Sequence, residues 1–147
     1  FFAANFSLGI ALLIDTARQV AAALPDAEIE IIERHHSRKL DAPSGTALAI
    51  ADALTEVRPS ATIVAGRNGH AKRTPNEIGI HSIRMGNIVG EHEVIFAGEN
   101  ETITLRHSAQ SREVFASGAI RAAIYLTTVG GAGKYNMDDL IRTYINV

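Results

Sequence analysis

EIEIIERHHSRKLDAPSGTALAIADALTEV, residues 28–57, holds a strand, a polar loop and a helix in one run. Residues 28–34 are β-rich and partly alternating, which predicts a strand. That strand runs straight into His35 and His36. Pro43-Ser44-Gly45 breaks the pattern. From about residue 46 to 57, Ala47, Ile50, Ala51, Leu54 and Val57 recur on one helical face. Residues 33–49 also carry the densest set of reactive side chains in the chain.

Working outward, Ile10, Leu13, Ile14, Ala17, Val20, Ala21 and Leu24 follow helical spacing, with Asn5 or Ser7 as cap and Pro25 after the end. Downstream, residues 61–66 read as a brief strand. Residues 67–77 are polar, basic and Gly/Pro-bearing, and predict a long exposed loop. Residues 78–84, 91–98 and 101–109 read as three strands, the last two joined by a hairpin at Gly98-Glu99-Asn100. A helix follows over 111–129, stopped by Gly130-Gly131, and residues 137–145 suggest a short terminal helix. No internal repeat or low-complexity tract interrupts this order. It predicts an α+β fold: a mixed open β-sheet with helices on one face. The strands at 78–84 and 101–107 set small or polar residues opposite their apolar ones, so subunit association is expected to cover the second face.

The 147 residues are enough for one domain with a core. A formal net charge of -2 gives no basic field for nucleic acid or an anionic membrane. With no cysteine, disulfides and thiolate metal sites are excluded, and a reducing, cytoplasmic location is expected. No apolar run approaches the roughly 18 residues needed to span a bilayer. The chain opens FFAANFSLGIALLI without a methionine or a basic start, and reads as a cut within a longer protein.

A histidine at a strand end gives or takes a proton near neutrality. His35 and His36 point to opposite sides if the strand continues through them, so both reach one ligand only if the backbone turns. Lys39 adds a positive charge that would attract an anion and depress a nearby imidazole. At Ser44-Gly45-Thr46 a helix begins. Its first N–H groups lack internal partners, Gly45 allows close approach, and two hydroxyls add donors, which suits a carboxylate or phosphate. The same residues admit a structural reading, in which Ser44 caps the helix and the histidines and lysine form a solvated edge.

His70, His81, His92 and His107 are scattered, and no spacing matches a metal signature, so no metal is expected. GGAGKY at 130–135 lacks the P-loop spacing, and no strand–GxGxxG–helix unit is present.

Residues 33–47, ERHHSRKLDAPSGTA, carry the complete signature E-x-H-H-x-x-K-x-D-A-P-S-G-T-A, and the chain here resembles the dihydrodipicolinate reductases of lysine biosynthesis. FAANFSLG at 2–9 resembles the family's hinge segment, and residues 77–119 resemble the rest of its substrate domain. Met85 and Asn87 depart from the Gly and Asp that the family often has. The resemblance implies a hinge over 1–9, a substrate-binding and oligomerisation domain over 10–130, and a C-terminal tail over 131–147. The family's N-terminal Rossmann domain is not in this sequence.

The resemblance further implies a reductase that uses NADPH or NADH, bound mainly by that other domain, and delivers hydride to C4 of a cyclic dicarboxylate, within a homotetramer. It assigns His35 as the general acid and Lys39 as its companion cation. His36, Lys39, Ser44, Gly45, Thr46 and Arg112 are assigned to the substrate's carboxylates, and Ala3, Ala4, Asn5 and Phe6 to the hinge beside the nicotinamide. A non-catalytic dicarboxylate-binding or assembly module would use the same anion nest. A hydrolase built on Ser44 and Lys39 is disfavoured, because no second base or oxyanion motif accompanies them.

Overall fold

The computed structural model describes residues 1–145. The chain runs α1 (Leu8–Ala23), β1 (Glu28–His35), α2 (Gly45–Val57), β2 (Thr62–Ala65), β3 (Glu77–Arg84), β4 (Gly90–Ala97), β5 (Thr102–Ala109), α3 (Glu113–Thr128) and α4 (Met137–Ile145). The five strands form one sheet in the order β2-β3-β1-β4-β5. β1 pairs in parallel with β3 and antiparallel with β4, so the sheet is mixed, as the sequence predicts.

Local chemistry fixes both helix starts that matter. Ser7 caps α1, accepting the Ile10 N–H, while the Asn5 side chain accepts the Ser7 N–H. Ser44 caps α2 in the same way, accepting the Ala47 N–H at 3.2 Å. Hairpin closure at 98–101 comes from the Gly98 N–H donating to the Glu101 carbonyl.

β1 alternates strictly, burying Ile29, Ile31, Glu33 and His35. The register extends this face into rows. Ile29 lies level with Ile78 and Phe96, and Ile31 with Ile80 and Val94, and together with α1 and α2 they make the main core. One step further along, Glu33 lies level with Ser82 and His92, and His92 with His107. The helix-covered face is thus oily at one end of the strands and polar at the other. On the opposite face, Glu30, Ile32, Arg34, Glu91, Glu93 and Ile95 are only half-buried.

Residues 137–145 form α4, which buries Met137, Leu140 and Ile141 against Ala11 of α1 and Ala122 of α3. Residues 137–145 of the expected tail are therefore packed onto the domain. No helix among the described residues is long and apolar enough to cross a membrane.

Candidate active site

The polar end of the inner face opens into a cavity of about 300 Å³. Its walls include His35, His36, Lys39, Thr46 and Arg112, with Asn5 at one side. Five loop or element ends therefore converge, and six of the residues singled out in the sequence meet in one place. The backbone turns immediately after β1: the His36 N–H donates to the Ile88 carbonyl and the Met85 N–H to the His35 carbonyl. That turn allows both histidines to face the same cavity.

His35 is buried and rests on Glu33. Its Nδ1 lies 2.5 Å from Glu33 Oε2. Glu33 is fully buried and receives more: Arg84 Nη1 at 2.8 Å, Arg84 Nη2 at 2.6 Å and the Ser44 N–H at 3.1 Å. Burial alone would raise this carboxyl. The donors Arg84, Ser82, His35 and Ser44 outweigh it and hold Glu33 down at about 2. It is a carboxylate throughout the physiological range.

His36 is lowered by burial and by the charges of Arg38 and Arg112. Lys39 Nζ pairs with Asp41 at 2.7 Å, and that hydrogen bond lowers the Asp41 carboxyl, which also accepts from the Gly45 N–H. Asp41 thus places an anion between Lys39 and the start of α2 and compensates the positive charge of both.

Two histidines that the sequence left scattered stand at the back of the cavity. His92 Nε2 lies 3.2 Å from Ser44 Oγ, and His107 Nε2 lies 3.4 Å from Ser7 Oγ. Each serine oxygen accepts from its own helix N–H and also lies within hydrogen-bond distance of the imidazole nitrogen. Burial first, and the neighbouring His35 second, push His92 down to about 3; burial lowers His107 as well. Their phase was legible: His92 is two residues from Val94 and four from Phe96, on the apolar side of β4.

Ser44 itself is 1% exposed and spends its hydroxyl on Ala47 and His92. Gly45 opens α2, and a Cβ built there would meet nothing within 4 Å. In the hinge, Asn5 Nδ2 donates to Thr46 Oγ1 at 2.8 Å, tying 1–9 to the start of α2. Ala3 and Ala4 line a neighbouring groove with Asn5, and Phe6 stacks with Phe1 at 5.9 Å and packs its backbone against Gly118.

The family model described as "Dihydrodipicolinate reductase, C-terminus" matches residues 9–141. The chain belongs to that family. It is 54% identical over 145 residues to the 4-hydroxy-tetrahydrodipicolinate reductase of Caldanaerobacter subterraneus subsp. tengcongensis, covering 97% of this chain and 57% of the relative. It is 45% identical over 137 residues to the reductase of that name from Methanococcoides burtonii, covering 93% of this chain and 51% of the relative. A solved structure, the dipicolinate-bound dihydrodipicolinate reductase from Paenisporosarcina sp. TG-14, superposes with a TM-score of 0.70 at 35% identity, over 86% of this chain and 49% of that one. The chain thus spans just over half the length of the curated relatives named here. The mixed sheet, the histidine-bearing end of β1 and the cavity above it are the form that a dihydrodipicolinate reductase C-terminal domain takes in this sequence.

Proposed function

We propose that this chain is the substrate domain of an NAD(P)H-dependent reductase that converts 4-hydroxy-tetrahydrodipicolinate to tetrahydrodipicolinate in diaminopimelate and lysine biosynthesis. The observation that carries the reading is the cavity itself: a carboxylate-backed histidine faces the same space as Lys39, His36 and Arg112. A cyclic dicarboxylate needs two cationic or N–H-rich subsites and one proton donor between them. This cavity supplies all three within a volume at the lower end of small-ligand sites, roughly 300–1,000 Å³. The solved relative, a dipicolinate-bound dihydrodipicolinate reductase, supports a planar dicarboxylate as the class.

His35 is the general acid. Its Nδ1 is taken up by Glu33, so Nε2 is the nitrogen left for the substrate. The Nε2–H bond breaks as a C–H bond forms at the ring carbon next to the hydride acceptor. The N–H electron pair stays on the imidazole, which solvent reprotonates. Lys39 and Arg112 hold the substrate carboxylates electrostatically, and Thr46 orients one of them. His36, kept neutral more readily than usual, hydrogen-bonds without adding repulsion to the cation cluster.

The hinge residues Ala3, Ala4 and Asn5 border a groove of about 390 Å³ beside this cavity. They fit the nicotinamide end of a dinucleotide, whereas no glycine-rich turn into a helix offers a pyrophosphate site. When bound, the nicotinamide supplies hydride to C4 of the ring. This chain alone is therefore inactive, and NADPH and NADH are equally compatible with it. The half-buried outer face of the sheet supports a homotetramer assembled through those strands.

Calorimetry on this chain tests both parts. Pyridine-2,6-dicarboxylate is expected to bind weakly, since closure by a second domain normally strips water from such a site. NADPH is expected to give no heat of binding. Tight NADPH binding with no dicarboxylate binding would overturn the reading.

A further inference from the structure

The buried carboxylate behind His35 has a role that the family signature leaves open. Glu33 is 0% exposed, and every oxygen is used. Oε1 accepts from Arg84 Nη2 and the Ser44 N–H, and Oε2 accepts from Arg84 Nη1 and faces His35 Nδ1. A two-pronged guanidinium fixes both the plane and the charge of a carboxylate, which a single contact does not. Arg84 is itself held by the Asp41 carbonyl at 2.6 Å, so the clamp ties β3, β1 and the loop before α2 together.

We infer that Glu33, clamped by Arg84, is the positioning residue that fixes His35 in its Nδ1–H form and aims Nε2 into the cavity. The inference rests on the assignment of His35 as the acid.

Three observations carry it. Glu33 and His35 are two apart on β1, so the strand points both side chains to the same face. An ionised Glu33 can only accept, so the proton between the two side chains belongs to His35 Nδ1. On the other side of the ring, His35 Nε2 has no protein partner among the described residues. The nearest wall there is Gly90, where a Cβ would stand 3.1 Å from Nε2. The ring is therefore held at one nitrogen and clear at the other.

The charges facing His35 come from several elements: Glu33 on its own strand, Arg84 on β3, His92 on β4 with ring centroids 5.2 Å apart, and Lys39, His36 and Arg112 around the cavity. Among the described residues Glu33 is the one anion in direct contact, set against three cations and two other imidazoles.

The test has two arms. In 15N-detected NMR on this chain at a pH where His35 is neutral, its proton is expected on Nδ1, with Nε2 bare; a proton on Nε2 would overturn the inference whatever the enzyme does. In the full-length protein, Glu33→Gln is expected to lower kcat by roughly 10²–10⁴, the range seen when a histidine loses its orienting carboxylate. KM should change little. Glu33→Asp, which keeps the charge on a shorter arm, should restore part of kcat. A folded Glu33→Gln enzyme with wild-type kcat would also overturn it. If Glu33→Gln does not fold, the NMR arm decides. If the full-length protein reduces no dicarboxylate, the assignment of His35 as acid fails, while the tautomer still reports on Glu33.

Discussion

Ser44 Oγ lies 3.2 Å from His92 Nε2, so the hydroxyl that caps α2 also anchors a buried imidazole of β4. Its neighbour on β5, His107, makes the same kind of contact with Ser7, the cap of α1. Both helix starts are thereby pinned to the polar end of the sheet by neutral histidines.

That arrangement sets an acid limit. His92 sits at about 3 in the folded chain, against an unfolded value near 6.5, so the unfolded state binds the extra proton as pH falls. Stability is full above about pH 6.5 and declines from there toward pH 3. Glu33, at about 2, joins only below its unfolded value near 4.5. The loss between pH 6.5 and 4.5 therefore belongs to the histidines and should amount to about 2 kcal/mol. His92→Gln should start less stable at pH 7 and show a shallower decline over that window. Urea midpoints measured at stepped pH check this; parallel slopes for the two proteins would contradict it.

Gly90 stands where any side chain would crowd the acid. An added Cβ would lie 3.1 Å from His35 Nε2 and 3.4 Å from its Cδ2. Gly90→Ala should displace the ring by a few tenths of an ångström and lower kcat of the full-length enzyme by roughly tenfold, since misplacement of a catalytic group on the ångström scale can cost about 10². The thermal midpoint should move little. Unchanged kcat in the variant would mean that the ring has room the geometry denies it.

Gly45 presents the opposite case. Nothing lies within 4 Å of a Cβ built there, so Gly45→Val should fold normally. The new side chain would occupy the space from which a carboxylate approaches the start of α2. Ki for pyridine-2,6-dicarboxylate should rise by roughly tenfold, the worth of one lost charge-assisted hydrogen bond. An unchanged Ki would remove the α2 start from the substrate site.

In the proposed homotetramer the outer sheet face is the partner surface. Ile32 and Ile95 are only half-buried there, among Arg34, Glu91 and Glu93, and Arg34 bridges to both glutamates. Light scattering on this chain at roughly tens of micromolar should report a tetramer, because association that covers this face also adds to stability by mass action. A well-folded monomer would place the assembly contacts elsewhere.

Much of this was readable in the chain. The apolar periodicity of 10–24 and 47–57 gave α1 and α2, and the partial alternation in 28–34 gave the central strand. The motif residues converge because one turn after His35 brings His36 and Lys39 back over the sheet, and a sequence alone leaves that turn open. Glu33 was in view but read only as part of a signature. Its spacing from His35 is the period of a strand, which already places both on one face. Arg84, His92 and His107 were harder, since each lies 49 to 72 residues beyond His35 and enters only through strand register. Ser44 looked like a ligand-binding hydroxyl or a helix cap. Its hydroxyl is committed to the cap and to His92, so any contact it makes to a substrate runs through neighbouring N–H groups.

The most direct test is His35→Ala in the full-length protein, assayed with 4-hydroxy-tetrahydrodipicolinate and NADPH. Loss of the general acid should lower kcat by roughly 10²–10⁴. KM should change by much less, and the thermal midpoint should stay within a few degrees of wild type. A folded variant with kcat close to wild type, or one whose only defect is a large fall in thermal midpoint, would contradict the assignment of this cavity as the site of proton transfer.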